Sequence, residues 1–306
     1  MISENTKGVY AIAATPFAES GDIDYLSLDS LTEFYLECRV HGIAILGMMG
    51  EAQKLLLEES VQVAQHVLKR VAGRVPVVVG ITGNALDGMR LLCRSVMDDG
   101  AAGVFLAPIM GLRTDEQVYA YYATVFEAIG PDIPVAYQDY PQSSGVYVSV
   151  ATLKRMIRAF PRLVMLKHED CPGLAKITQL RSNSAREGIR RISILVGNGG
   201  LYFPQELRRG ADGAMTGFAY PDALVQVYER SVAGDAEGAE DIFDRYLPLC
   251  RHEQQPGFGL AVRKEILRRR GAIATAAVRK PGPTLTAADH AELDGLLARL
   301  ERALKG

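Results

Sequence analysis

Eight short apolar runs, rich in β-branched residues, punctuate the first 220 positions of the chain: VYAIAAT (9–15), GIAILG (42–47), VPVVVGIT (75–82), GVFLAP (103–108), IPVAYQ (133–138), LVMLK (163–167), ISILVG (192–197) and DGAMTG (212–217). They recur about 30 residues apart, and most are separated by longer stretches of helical periodicity. Near-continuous hydrophobicity within a run is the pattern of a parallel strand covered on both faces. Amphipathic patterns at 56–71 and 115–129 fill two of the gaps, and Thr114 stands where it would cap the second, ahead of acids in the first turn. Helical patterns continue at 222–232, 235–252, 257–270 and 287–304.

No Gly/Ser/Pro-rich linker divides the chain. Eight strands alternating with helices then predict an α/β fold of the (β/α)8 barrel type rather than an open doubly wound sheet. In this reading residues 1–232 form the barrel, and residues 233–306 form a C-terminal helical extension packed on it.

Bulk properties narrow the function classes. The 306 residues are 48% hydrophobic and 23% charged, with a formal net charge of −2, and the pI is about 6.2. No charge excess points to nucleic acid or to an anionic membrane. No apolar run approaches the ~20 residues that span a bilayer, and MISENTKGVY lacks the basic and apolar regions of a signal peptide. The cytoplasm is the expected compartment. Cys38, Cys93, Cys171 and Cys250 are far apart and form no C-x-x-C pair, so they read as reduced thiols and not as metal ligands. GNGG (197–200) follows a strand, but it lacks the full dinucleotide-binding spacing and the chain has no P-loop.

A barrel of this kind carries its active site at the C-terminal ends of its strands. Lys167 is the only basic residue that closes any of the eight runs. Strand alternation places it on one face with Leu163 and Met165, and turns His168 to the other as a structural residue. If its face is the barrel interior, partial desolvation lowers the lysine pKa, as an amine nucleophile requires. A strand-end lysine whose amine snorkels out to water fits the same position.

Two loops join it. GMMGE (47–51) brackets Met48 and Met49 with glycines, so its successive N–H groups either hold a carboxylate or form an ordinary strand-to-helix turn. In YQDYP (137–141), Gln138 and Tyr140 share a face by alternation, and Tyr137 and Asp139 take the other, with Pro141 closing the strand. Tyr140 is either a proton-transfer group or a packing residue.

Together these features resemble the dihydrodipicolinate synthase and N-acetylneuraminate lyase family of class I aldolases. The resemblance runs from Gly8 to Pro281. It rests on Thr15-Pro16-Phe17, on Gly47, Gly50 and Glu51, on Lys167, on Gly197 and on GADGAMTG (210–217). It implies that Lys167 forms a Schiff base with pyruvate, or with a related small 2-oxo acid, and that this imine drives carbon–carbon bond chemistry without metal or other cofactor. It implies that the Met48 and Met49 N–H groups hold the substrate carboxylate, with Met215 and Gly197 at further substrate-binding positions. A homotetramer or homodimer is implied as well.

The departures are specific. Methionines replace both threonines of the family loop, Gln138 stands at the catalytic tyrosine position, and Ile109–Met110 replace a tyrosine pair. Ser143 replaces the synthase's carboxylate-binding arginine. The reading is therefore a synthase-like lyase in which Tyr140 supplies the proton relay and Gln138 positions the substrate. Authentic 4-hydroxy-tetrahydrodipicolinate synthase, and a catalytically impaired keto-acid-binding barrel, are the alternatives.

Overall fold

The computed structural model describes residues 1–83 and 85–305. Its strands are β1 Gly8–Ile12, β2 Gly42–Ile45, β3 Val77–Gly80, β4 Gly103–Leu106, β5 Val135–Asp139, β6 Leu163–His168, β7 Ser193–Val196 and β8 Gly213–Thr216. Each pairs in parallel with the next, and β8 closes on β1. The expected (β/α)8 barrel is the observed fold.

The helices are α1 Tyr25–Glu37, α2 Leu57–Val71, α3 Leu86–Asp98, α4 Asp115–Ile129, α5 Pro141–Ser144, α6 Val150–Ala159, α7 Leu174–Glu187, α8 Phe203–Arg208, α9 Pro221–Val232, α10 Ala236–Glu253, α11 Gly259–Arg269 and α12 Ala287–Lys305. Thr114 caps α4 as expected, in a capping box with Gln117. After α9, helices α10 to α12 form a C-terminal extension. Phe243, Leu249, Ile266 and Leu293 of these helices belong to the same buried cluster as the outward-facing strand residues, so extension and barrel share one core. No described helix is long and apolar enough to cross a membrane.

A second, smaller cluster fills the barrel interior, with Tyr10, Ile12, Ala44, Val78, Phe105, Ala136, Met165, Leu195 and Met215 among its members. One detail of register matters. Val135 pairs with Leu163, but the next residue, Ala136, pairs with Met165, so β6 carries a bulge at Val164. Leu163 consequently joins the outer core, while Val164 and Met165 both belong to the interior cluster. The expected shared face of Leu163 and Lys167 is thus wrong. Alternation counts correctly only from Met165 onward.

Candidate active site

A cavity of about 400 Å³ opens where the strands end. Strand and loop residues, among them Met48, Met49, Gln138, Lys167, Asn198 and Thr216, form one side, and the C-terminal extension supplies the other through Glu253, Gln254, Arg263 and the 278–283 segment. The barrel alone therefore does not complete this cavity.

Lys167 stands at the end of β6 opposite Gln138 of β5. It is 4% exposed, with its Nζ 5.7 Å from the centre of the Phe105 ring. Of the two readings left open by its sequence position, the buried amine is the observed one. Two residues on, past the end of the strand, Glu169 places Oε2 2.7 Å from the Lys167 ammonium nitrogen. The Gln138 amide donates to the same oxygen at 2.7 Å. Backbone contacts hold the carboxylate's own residue: the Glu169 N–H donates to the Asp139 carbonyl, and the Asn198 amide donates to the Glu169 carbonyl, both at 2.9 Å. Gly197 provides the space. A Cβ there would lie 2.2 Å from Glu169 Cγ.

The opposite faces of β5 and β6 carry a separate ionic set outside the cavity. Asp139 is fully buried and accepts from Lys176 at 2.6 Å, and Lys176 also reaches Asp170 at 3.0 Å. His168 packs here, its Nε2 donating to the Gly173 carbonyl at 3.0 Å, which is the structural placement that alternation predicts.

Tyr140 follows β5 and lines the cavity with Gln138. Burial, reinforced by the negative charge of Glu169 and partly offset by Arg263, raises its phenol pKa. Met48 and Met49 line the cavity too, and among the described residues neither backbone N–H has a hydrogen-bond acceptor. Their loop is pinned from both sides. Thr15 Oγ1 donates to the Gly50 carbonyl at 2.7 Å, and Glu51, in the left-handed region at φ 52°, is tied to Lys54 and Lys264.

Other expected positions fall outside the cavity wall. Met215 is wholly buried inside the barrel, and its successors Thr216 and Gly217 line the cavity instead. Gly197 acts on the cavity only through Glu169. Ser143 is exposed on α5, the short helix that Pro141 opens. It is not among the residues that line the cavity.

Three features of the cavity went unread in the sequence. Glu169 was within reach of the alternation argument, two residues past Lys167. Arg263, which donates to Glu253 at 2.8 Å and touches the Met49 sulfur, comes from a helix with no local signal for a site. Burial pushes the Glu253 carboxyl up to about 7, against the opposing pull of Arg263.

A model of the dihydrodipicolinate synthetase family matches residues 5–300. The chain belongs to that family. It is a lyase of the dihydrodipicolinate synthase-like kind. A dihydrodipicolinate synthase structure from Rhodopseudomonas palustris is 46% identical, covers 97% of this chain and 99% of its own, and superposes with a TM-score of 0.95. An L-2-keto-3-deoxyarabonate dehydratase from Azospirillum brasilense is 30% identical over 96% of this chain and 94% of its own length. A 4-hydroxy-tetrahydrodipicolinate synthase from Thermus thermophilus is 31% identical over 74% and 75%. Family membership accords with a cavity at the C-terminal mouth, the end at which (β/α)8 enzymes work.

Proposed function

We propose that this family member binds pyruvate or a related small 2-oxo acid as a Schiff base on Lys167 and makes or breaks the neighbouring carbon–carbon bond. The observation that carries the reading is the buried Lys167 amine at the mouth of the barrel, in contact with a carboxylate and open to a cavity of small-molecule size. An imine at that nitrogen withdraws electrons from the adjacent carbon and stabilises the carbanion formed there. The unused Met48 and Met49 N–H groups suit the substrate carboxylate. Tyr140 serves as relay in the carbon–carbon step, and Gln138 positions the reacting groups. A cytoplasmic homotetramer or homodimer is part of the same reading.

A second reading has specific support in the match to the Azospirillum dehydratase along nearly the whole chain. The same imine would acidify C3 of a 2-oxo-3-deoxy acid, and loss of the C4 hydroxyl as water would follow instead of carbon–carbon cleavage.

Borohydride treatment with a panel of 2-oxo acids, followed by peptide mass spectrometry, tests both. A reduced adduct at Lys167, absent from Lys167→Ala, is the expected result. The absence of any adduct in folded protein overturns the Schiff-base reading and favours an impaired barrel. Condensation of pyruvate with aspartate semialdehyde should be slow or absent, since Ser143 offers no bidentate partner for a second carboxylate. Efficient condensation restores the authentic synthase.

A further inference from the structure

We propose that Glu169 is the proton-transfer residue for imine formation at Lys167, a task that the Gln138 amide cannot perform. The assignment rests on the Schiff-base reading above. Its basis is geometric. Glu169 Oε2 lies 2.7 Å from Nζ, the atom that must lose a proton before it can attack. The same oxygen receives the Gln138 amide, Gly197 leaves the space that the Glu169 side chain occupies, and both side chains of the pair are at least nine-tenths buried. An amide orients such a group but exchanges no proton near neutral pH.

The chemistry balances around this pair. The Lys167 ammonium passes a proton to the Glu169 carboxylate, and the free amine adds to the C2 carbonyl of the 2-oxo acid. Glu169 then moves a proton from nitrogen to oxygen, giving a neutral carbinolamine and a protonated Glu169. The C2–O bond breaks as Glu169 returns its proton to the departing hydroxyl, which leaves as water. A protonated imine remains, with the Glu169 carboxylate as its counter-ion. Net charge is the same at the start and at the end. Tyr140, whose hydroxyl bonds to no described residue, is left for the subsequent bond-making or bond-breaking step.

The test is the rate at which pyruvate produces a borohydride-trappable adduct at Lys167, measured across pH in the full chain. Glu169→Gln should slow it by about 10²- to 10⁴-fold, the usual contribution of a general acid–base group. The sign of this change is informative. Removing a negative charge beside an ammonium makes that amine easier to deprotonate, so loss of a purely electrostatic partner would leave the rate unchanged or raise it. Glu169→Asp keeps the carboxylate one methylene further back and should recover part of the rate, as a structural role would not require. Unaltered or faster trapping in folded Glu169→Gln, or in Glu169→Ala should the glutamine variant misfold, overturns the assignment and leaves the Schiff base standing. Failure of the natural chain to form any adduct removes both.

Discussion

Glu51 and Lys264 form an ion pair at 2.6 Å in which both side chains are sealed from solvent. Glu51 belongs to the loop after β2, and Lys264 to α11, so the pair couples the Met48–Met49 segment to the C-terminal extension. Lys264 also donates to the Ala277 carbonyl at 2.8 Å, and Glu51 receives the Arg279 N–H at 3.0 Å. Glu51→Gln leaves a buried ammonium without its counter-charge and should cost ~3–5 kcal/mol in chemical denaturation. Adding Lys264→Met to it should restore part of that loss. A cost within ~1 kcal/mol for the single variant would mean that the pair does not hold the loop.

Gly197→Ala tests the packing behind the site. The new methyl group would stand 2.2 Å from Glu169 Cγ. Relieving that overlap pushes Glu169 away from Nζ. Slower adduct formation at Lys167 should result, with a stability loss of roughly 1–3 kcal/mol. Trapping kinetics equal to those of the natural chain would show that Glu169 can move without consequence.

Tyr140→Phe should separate the two halves of the reaction. With Glu169 handling the imine protons, trapping at Lys167 stays near its original rate, while turnover falls by about 10²- to 10⁴-fold. Single-turnover trapping and steady-state assays on the same preparation read the two effects. Undiminished turnover would make Tyr140 a packing residue.

Stability should decline as the solution passes from mildly acidic to mildly alkaline. Glu206, on α8, is buried without a hydrogen-bond partner among the described side chains, and burial alone lifts its pKa to about 8. A folded-state pKa above the unfolded value means that the folded state binds more protons between the two. The contribution is complete below about pH 4.5 and is lost as pH rises through about 8. Glu206→Gln should flatten the fall by a few kcal/mol, at ~1.4 kcal/mol for each tenfold change in proton affinity. Parallel melting curves for the two proteins across that window would count against a buried, proton-retaining Glu206.

Hydrophobic periodicity made the barrel legible, because each strand is covered on both faces and each is followed by patterned helix or loop. Lys167 was legible for the same reason, as the one basic residue at a strand end. The bulge was not. An extra residue in β6 leaves no mark in a run of apolar side chains, so the count from Leu163 came out on the wrong face. Ser143 was aligned by its distance from Pro141, and that count carries no information about its exposure on α5. Arg263 and Glu253 meet the cavity only through the docking of α10 and α11, a long-range event with no local periodicity to announce it.

The bulge at Val164 also gives β6 one residue of slack. Val135 pairs with Leu163 and Ala136 with Met165, so removal of Val164 would leave the two strands in regular register with Lys167 still opposite Gln138. Side chains alternate with a period of two, and the same deletion in a strand without a bulge would exchange its two faces. The strand that carries the amine can therefore lose one residue at this point without turning Lys167 out of the cavity or bringing His168 in.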